Sequence, residues 1–193
     1  MQPAGKSKQE KPRLLIILNR FVIGGQAVDT IPLAWYLKDV FDILIIYGEK
    51  EIDEIEPTFL LEKYKGLQLK KIRHLRRSIN PLTDLIAFFR VLGAINTFRA
   101  DIVHTHGAKS GFIGRLSAWL SGVPVIIHTF HGHFFHSYFS KAVSRSIAIV
   151  ERAVGKITTS AIALSTNQKN ELVEVYKILP ASKINIVPLG FCF

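Results

Sequence analysis

Short apolar runs alternate with stretches of helical spacing along most of this chain. Leu14 to Leu18, Ile43 to Tyr47, Leu67 to Ile72, Ile102-Val103, Val123 to Ile127, Ile157 to Leu164 and Ile184 to Val187 read as strands. Between them, Gln26 to Lys38, Pro57 to Tyr64, Ser110 to Leu120, Ser140 to Val154 and Thr166 to Tyr176 read as helices. Asn80-Pro81 is a strong helix start, with Asn as N-cap, Pro at the first position and Asp84 in the first turn, and the helix runs to about Phe98. Pro32 sits inside the first helical stretch and predicts either a kink or a true start near Thr30. Strands alternating with helices predict an α/β domain with a Rossmann-like, doubly wound parallel sheet.

At 193 residues the chain builds one α/β core rather than two. Met1 to Pro12 reads as a disordered basic tail without the apolar stretch of a signal peptide. No run approaches the ~18 apolar residues of a membrane span. The single cysteine, Cys192, excludes an internal disulfide framework and suits a reducing cytoplasm. The net charge of +10 calls for an anionic partner. Much of it lies in one block: Lys70, Lys71, Arg73, Arg76 and Arg77. Nucleic acid is not the expected partner, because the strands lack the aromatic and basic interleaving of an RNA-binding sheet.

The candidate chemistry lies at strand ends, where open parallel sheets bind ligands. Gly24 and Gly25 stand between the first strand and its helix. They read either as a phosphate-approach loop or as a tight turn, and match neither the dinucleotide nor the Walker pattern. His104 and His106 follow one strand and share a face; His128, His131 and His133 follow another. These imidazoles read as polar site residues or as satisfied structural ones. No metal is expected, since no Cys, Asp or Glu stands beside them, and no cofactor is called for. His133 to Phe139 reads as an apolar plug or as a patch meeting lipid or acceptor. With the apolar segment Ile79 to Phe98, it allows peripheral contact with an anionic membrane.

Several motifs in order carry a family resemblance: Ile23-Gly24-Gly25, Ala100 to His106, Ala108-Lys109-Ser110-Gly111, Gly122 to Val125, His128 to His133, and Val187 to Phe191. Together they resemble the N-terminal domain of a GT-B glycosyltransferase of family 4, the bacterial capsular, exopolysaccharide or lipopolysaccharide type. The resemblance spans residues 13–191. It implies the N-terminal half of a GT-B fold, with the C-terminal donor domain absent. It also implies a retaining transfer from a nucleotide-sugar donor to a glycan or polyprenyl-linked acceptor, at the cytoplasmic face of the plasma membrane. Gly24 and Gly25 match the donor-phosphate loop and His131 the histidine near the donor sugar. His104, His106, His128, His133, Arg76 and Arg77 would line the acceptor side. Cys192 departs from the family's usual Asp. The alternative is a non-catalytic ligand-binding or partner module, a degenerate or split half-enzyme.

Overall fold

A computed structural model describes residues 10–132 and 141–190. Seven strands form one wholly parallel sheet in the order β3-β2-β1-β4-β5-β6-β7. The strands are β1 (Arg13–Leu18), β2 (Asp42–Tyr47), β3 (Gln68–Lys71), β4 (Ile102–His106), β5 (Val125–Phe130), β6 (Ser160–Ala163) and β7 (Ile184–Ile186). The helices are α1 (Gly25–Leu37), α2 (Thr58–Lys63), α3 (Pro81–Phe98), α4 (Ala108–Leu120), α5 (Lys141–Lys156) and α6 (Thr166–Asn170). This is the expected Rossmann-like, doubly wound sheet. The order reverses between β1 and β4, so the chain leaves these neighbouring strands in opposite directions and opens a crevice at their carboxyl ends.

The sheet is buried on both faces, as parallel sheets are. Leu14, Ile16, Leu18, Ile43 and Ile45 pack with Ala27, Ile31 and Ala34 of α1 and Leu60 of α2. On the other face, Leu15, Ile17, Ile46, Val103 and Ile126 pack with Ala87, Val91 and Ile95 of α3 and Ile113 of α4. A third cluster joins Phe130, Ala161 and Ala163 to Ala148 of α5 and Leu172.

Four expectations need correction. Helix α1 starts at Gly25 and runs through Pro32, so the start near Thr30 fails. Burial of Ala27, Thr30, Ile31 and Ala34 holds the helix together although Pro32 lacks an N–H. The second correction is that His104, His106 and His128 stand within β4 and β5 rather than after them. Pairing continues through them, with His104 opposite Ile127, Thr105 opposite His128 and His106 opposite Thr129. The third concerns the helix from Thr166, which ends as α6 at Asn170 and passes into a wider π-type turn over Glu171–Val175. The last is α3, which at 18 residues and a mean hydropathy of 1.2 is long and apolar enough to cross a membrane, against the expectation that no segment is. Its Ala87, Val91, Ala94 and Ile95 are nonetheless buried in the sheet's core.

The N-terminus of α3 follows expectation closely. Asn80 Oδ1 accepts from the amides of Leu82 (3.1 Å) and Thr83 (3.3 Å), with Pro81 at the first helical position. Arg99 closes the helix in the left-handed conformation, φ 53°.

Candidate functional site

The crevice between β1 and β4 is built from two helix starts. Gly24 caps α1 without any side-chain hydrogen bond, and the first turn of α1 carries no acidic residue. A β-carbon on Gly24 or Gly25 would meet nothing within 4 Å, so this turn stands open. Its path is set from behind, where the Ile23 amide donates to the Ile55 carbonyl (2.9 Å). The α1 terminus therefore presents free N–H groups and the positive end of a helix dipole to an anion.

Across the crevice, β4 passes into α4 through Gly107, φ +80°. A β-carbon there would lie 2.7 Å from Gln26 Nε2 and 3.6 Å from Asn19 Cβ. Asn19, Gln26 and Gly107 thus meet at the strand reversal, and Asn19 Oδ1 is buried with no partner among the described residues. The sequence reading missed these three. Their signal was position, since each directly follows β1, the diglycine or β4.

The four described histidines of the two strand ends separate. His104 and His106 share a face of β4, their ring centroids 4.2 Å apart. His104 Nε2 and Thr129 Oγ1 are hydrogen-bonded at 2.7 Å, and His106 Nδ1 lies 2.8 Å from His131 Nε2. His106 Nε2 is buried without a partner among the described residues. A buried orphan N–H costs more than an orphan lone pair, so the consistent tautomer has His106 Nδ1–H donating to His131 Nε2. His128 points to the opposite face. Its Nδ1 pairs with Thr105 Oγ1 at 2.8 Å, and its ring lies 2.5 Å from where a β-carbon on Gly111 of α4 would sit. The structure thus joins His104, His106 and His131 and sets His128 apart. His133, the aromatic run to Phe139, Phe191 and Cys192 lie outside the described residues.

Burial holds these rings neutral. It lowers His104 to about 4, with the neighbouring His131 a smaller cause, and lowers His131 to about 4 as well. His106 and His128 are held well below the ordinary imidazole value, again mainly by burial. His131, half-buried at the rim, is therefore a neutral donor or acceptor at physiological pH and not a ready source of a proton.

Gln168 fixes the His131 peptide from both sides. Its Nε2 donates to the carbonyls of Phe130 (3.1 Å) and Gly132 (2.8 Å), while its Oε1 accepts from the Leu164 amide (2.7 Å). Ser165 Oγ accepts from the Gln168 amide at 3.2 Å. The Ser165-x-x-Gln168 spacing of a capping box was the signal available for this residue.

Arg76 and Arg77 follow β3, separated from β4 by β2 and β1, which is roughly 14 Å at ordinary strand spacing. Arg76 pairs with Glu49, and Arg77 lies near Arg20, whose pKa is lowered mainly by burial and less by this neighbouring charge. The structure does not bring these arginines to the histidines. Among the described residues, no three His, Cys, Asp or Glu side chains are grouped to hold a metal.

Residues 23–191 match the model of Glycosyltransferase Family 4. The chain belongs to that family. A relative from Escherichia coli, UDP-Gal:alpha-D-GlcNAc-diphosphoundecaprenol alpha-1,3-galactosyltransferase, is 34% identical over 114 residues, covering 59% of this chain and 29% of the relative. Among solved structures, a glycosyltransferase from Rickettsia africae superposes with a TM-score of 0.64 at 22% identity, over 92% of this chain and 43% of the other. MurG from Acinetobacter baumannii gives 0.60 at 14%, over 93% and 46%. UDP-N-acetylglucosamine 2-epimerase from Rickettsia bellii gives 0.65 at 11%, over 93% and 45%. These likenesses show the GT-B type of Rossmann-like fold in this family 4 domain. The chain spans less than half the length of each of these four relatives.

Proposed function

We propose that this domain is the acceptor-side half of a retaining glycosyltransferase. It would move a sugar from a nucleotide-diphosphate donor to a polyprenyl-linked or glycan acceptor at the cytoplasmic face of the plasma membrane, in polysaccharide biosynthesis. The observation that carries the reading is the crevice itself: the uncapped α1 start at Gly24-Gly25 on one side and the His106–His131 pair on the other. The E. coli relative, named for transfer to a diphosphoundecaprenol-linked sugar, supports the acceptor class.

In this reading the bond between the anomeric carbon and the donor phosphate breaks, and negative charge grows on the leaving diphosphate. Amides at the open α1 terminus would stabilise that charge without reorganising. The acceptor oxygen bonds to the anomeric carbon on the face the phosphate leaves, and its proton passes to the departing phosphate oxygen. His131, neutral and oriented by His106 and Gln168, would hydrogen-bond the donor sugar and hold the reacting centre. Such positioning is worth much of a transfer barrier, and it requires both walls of a two-domain cleft.

A radiolabelled nucleotide-sugar assay with a lipid-diphosphate-linked acceptor tests this. Transfer is expected when a family 4 C-terminal domain is joined to the chain, and none from the chain alone. Transfer by the chain alone would overturn the half-enzyme reading. Failure of the joined, folded protein with every common nucleotide-sugar would favour the non-catalytic partner module.

A further inference from the structure

Helix α3 is apolar on both sides. Ala87, Val91, Ala94 and Ile95 face the core. Leu82, Leu85, Ile86 and Phe89, spaced i, i+3, i+4 and i+7, form the opposite stripe and are 76%, 55%, 43% and 59% exposed. Ile79, just before the helix, is 87% exposed and extends the stripe. A surface helix in a water-facing domain places charged and polar residues there. The helix is long enough to cross a bilayer, but its inner face is committed to the sheet, so it can lie on a membrane and not across one.

Charge beside the stripe identifies what it meets. Lys70 and Lys71 of the edge strand β3, Arg73 of the following loop and Arg90 of α3 line a groove of about 440 Å³ between strand and helix. Arg90 follows Phe89 directly, and its Nη1 donates to the Arg73 carbonyl at 3.4 Å, which holds the guanidinium on that side. The nearby acids do not offset this shelf. Asp84 is paired with Lys109, and Glu49 with Arg76. An exposed apolar ridge flanked by a basic shelf is complementary to one surface in particular: acyl chains under anionic headgroups.

We propose that the outer face of α3 docks this domain on an anionic bilayer leaflet. Leu82, Leu85, Ile86 and Phe89 would enter the acyl boundary while Lys70, Lys71, Arg73 and Arg90 bind the headgroups. This extends the reading of a membrane-anchored acceptor. Vesicle binding is measured without donor or acceptor, so its failure leaves the sugar-transfer reading standing.

The test is cosedimentation with phosphatidylglycerol-containing vesicles and with phosphatidylcholine vesicles, at low and high salt. The chain should pellet with the anionic vesicles only, and salt should release it. Lys70→Glu with Lys71→Glu should lower partitioning at least about 25-fold, at roughly fivefold per basic residue. Leu85→Asp with Phe89→Asp should abolish binding with an unchanged far-ultraviolet circular dichroism spectrum. Leu82→Trp gives a second measurement that disturbs the helix little, its emission shifting to the blue on anionic vesicles alone. A wild-type chain that ignores anionic vesicles at low salt, or a Leu82→Trp emission unmoved by them, overturns the proposal. So does a chain that is dimeric in solution and becomes monomeric in the Leu85→Asp/Phe89→Asp variant without losing lipid binding, because a second copy then covers the stripe.

Discussion

His106 Nδ1 and His131 Nε2 lie 2.8 Å apart, tying the last residue of β4 to the first residue beyond β5. The inner ring is wholly buried and the outer one half-buried, so the pair carries a direction from the core to the crevice rim. The buried ring fixes the orientation of the ring that can reach a ligand.

Replacing the outer ring should therefore cost function more than stability. In a transferase completed by a C-terminal domain, His131→Ala is expected to cut turnover strongly. Its unfolding free energy should stay within about 1 kcal/mol of wild type, as for substitutions outside the core. Parallel urea melts and initial rates decide this. A large stability loss with full specific activity would make His131 a packing residue.

The diglycine turn yields a complementary variant. Since a β-carbon on Gly25 meets open space, Gly25→Val should fold normally. Its isopropyl group would stand where a phosphate approaches the α1 amides, so nucleoside diphosphate affinity should fall in the joined enzyme. Calorimetric titration gives the answer, and unchanged affinity in a folded variant removes the phosphate role.

Protonation should couple to folding. Unfolded histidines take up protons near pH 6.5, whereas His104 and His131 in the fold do so only at about 4. Between these values the unfolded chain binds more protons, so stability is full above about 6.5 and falls as pH drops toward 4. His106 and His128, lowered by burial, act in the same sense. Urea midpoints across this range should show the loss. His104→Asn should flatten the slope; a midpoint independent of pH would contradict the buried, neutral rings.

Arg115 and Glu151 form a buried ion pair, 2.7 Å apart, between α4 and α5. Removing one partner strands the other charge in the interior. Glu151→Gln is expected to cost about 3–5 kcal/mol, while the apolar double variant Arg115→Met/Glu151→Leu should recover most of it. Thermal melts of the three proteins test the difference. Equal losses in single and double variants would mean that packing rather than charge dominates.

The alternation of apolar runs and helical spacing made the parallel sheet legible, because each buried strand of such a sheet is a nearly continuous apolar stretch. The Asn80 cap was legible too, being a local hydrogen-bond pattern. The strand ends were not. His104, His106 and His128 read as residues just past the strands, whereas hydrogen bonds with Thr129, His131 and Thr105 hold them within the sheet. Those partners lie 23 or more positions away, a distance no local pattern spans. The same limit hid the Arg115–Glu151 pair, 36 positions apart. Five histidines at two strand ends suggested one cluster, but the alternation of a strand sent His128 to the other face.

Gly111 and Gly114 let α4 ride low on the sheet. Added β-carbons would come within 2.5 Å of the His128 ring and 2.7 Å of Thr105 Cγ2. The height of that helix is thus a dimension set by two missing methyl groups. Raising it would also lift Gly107 and the start of α4, which form one lip of the crevice. The close seat of α4 on β4 and β5 thus sets the position of one lip of the crevice.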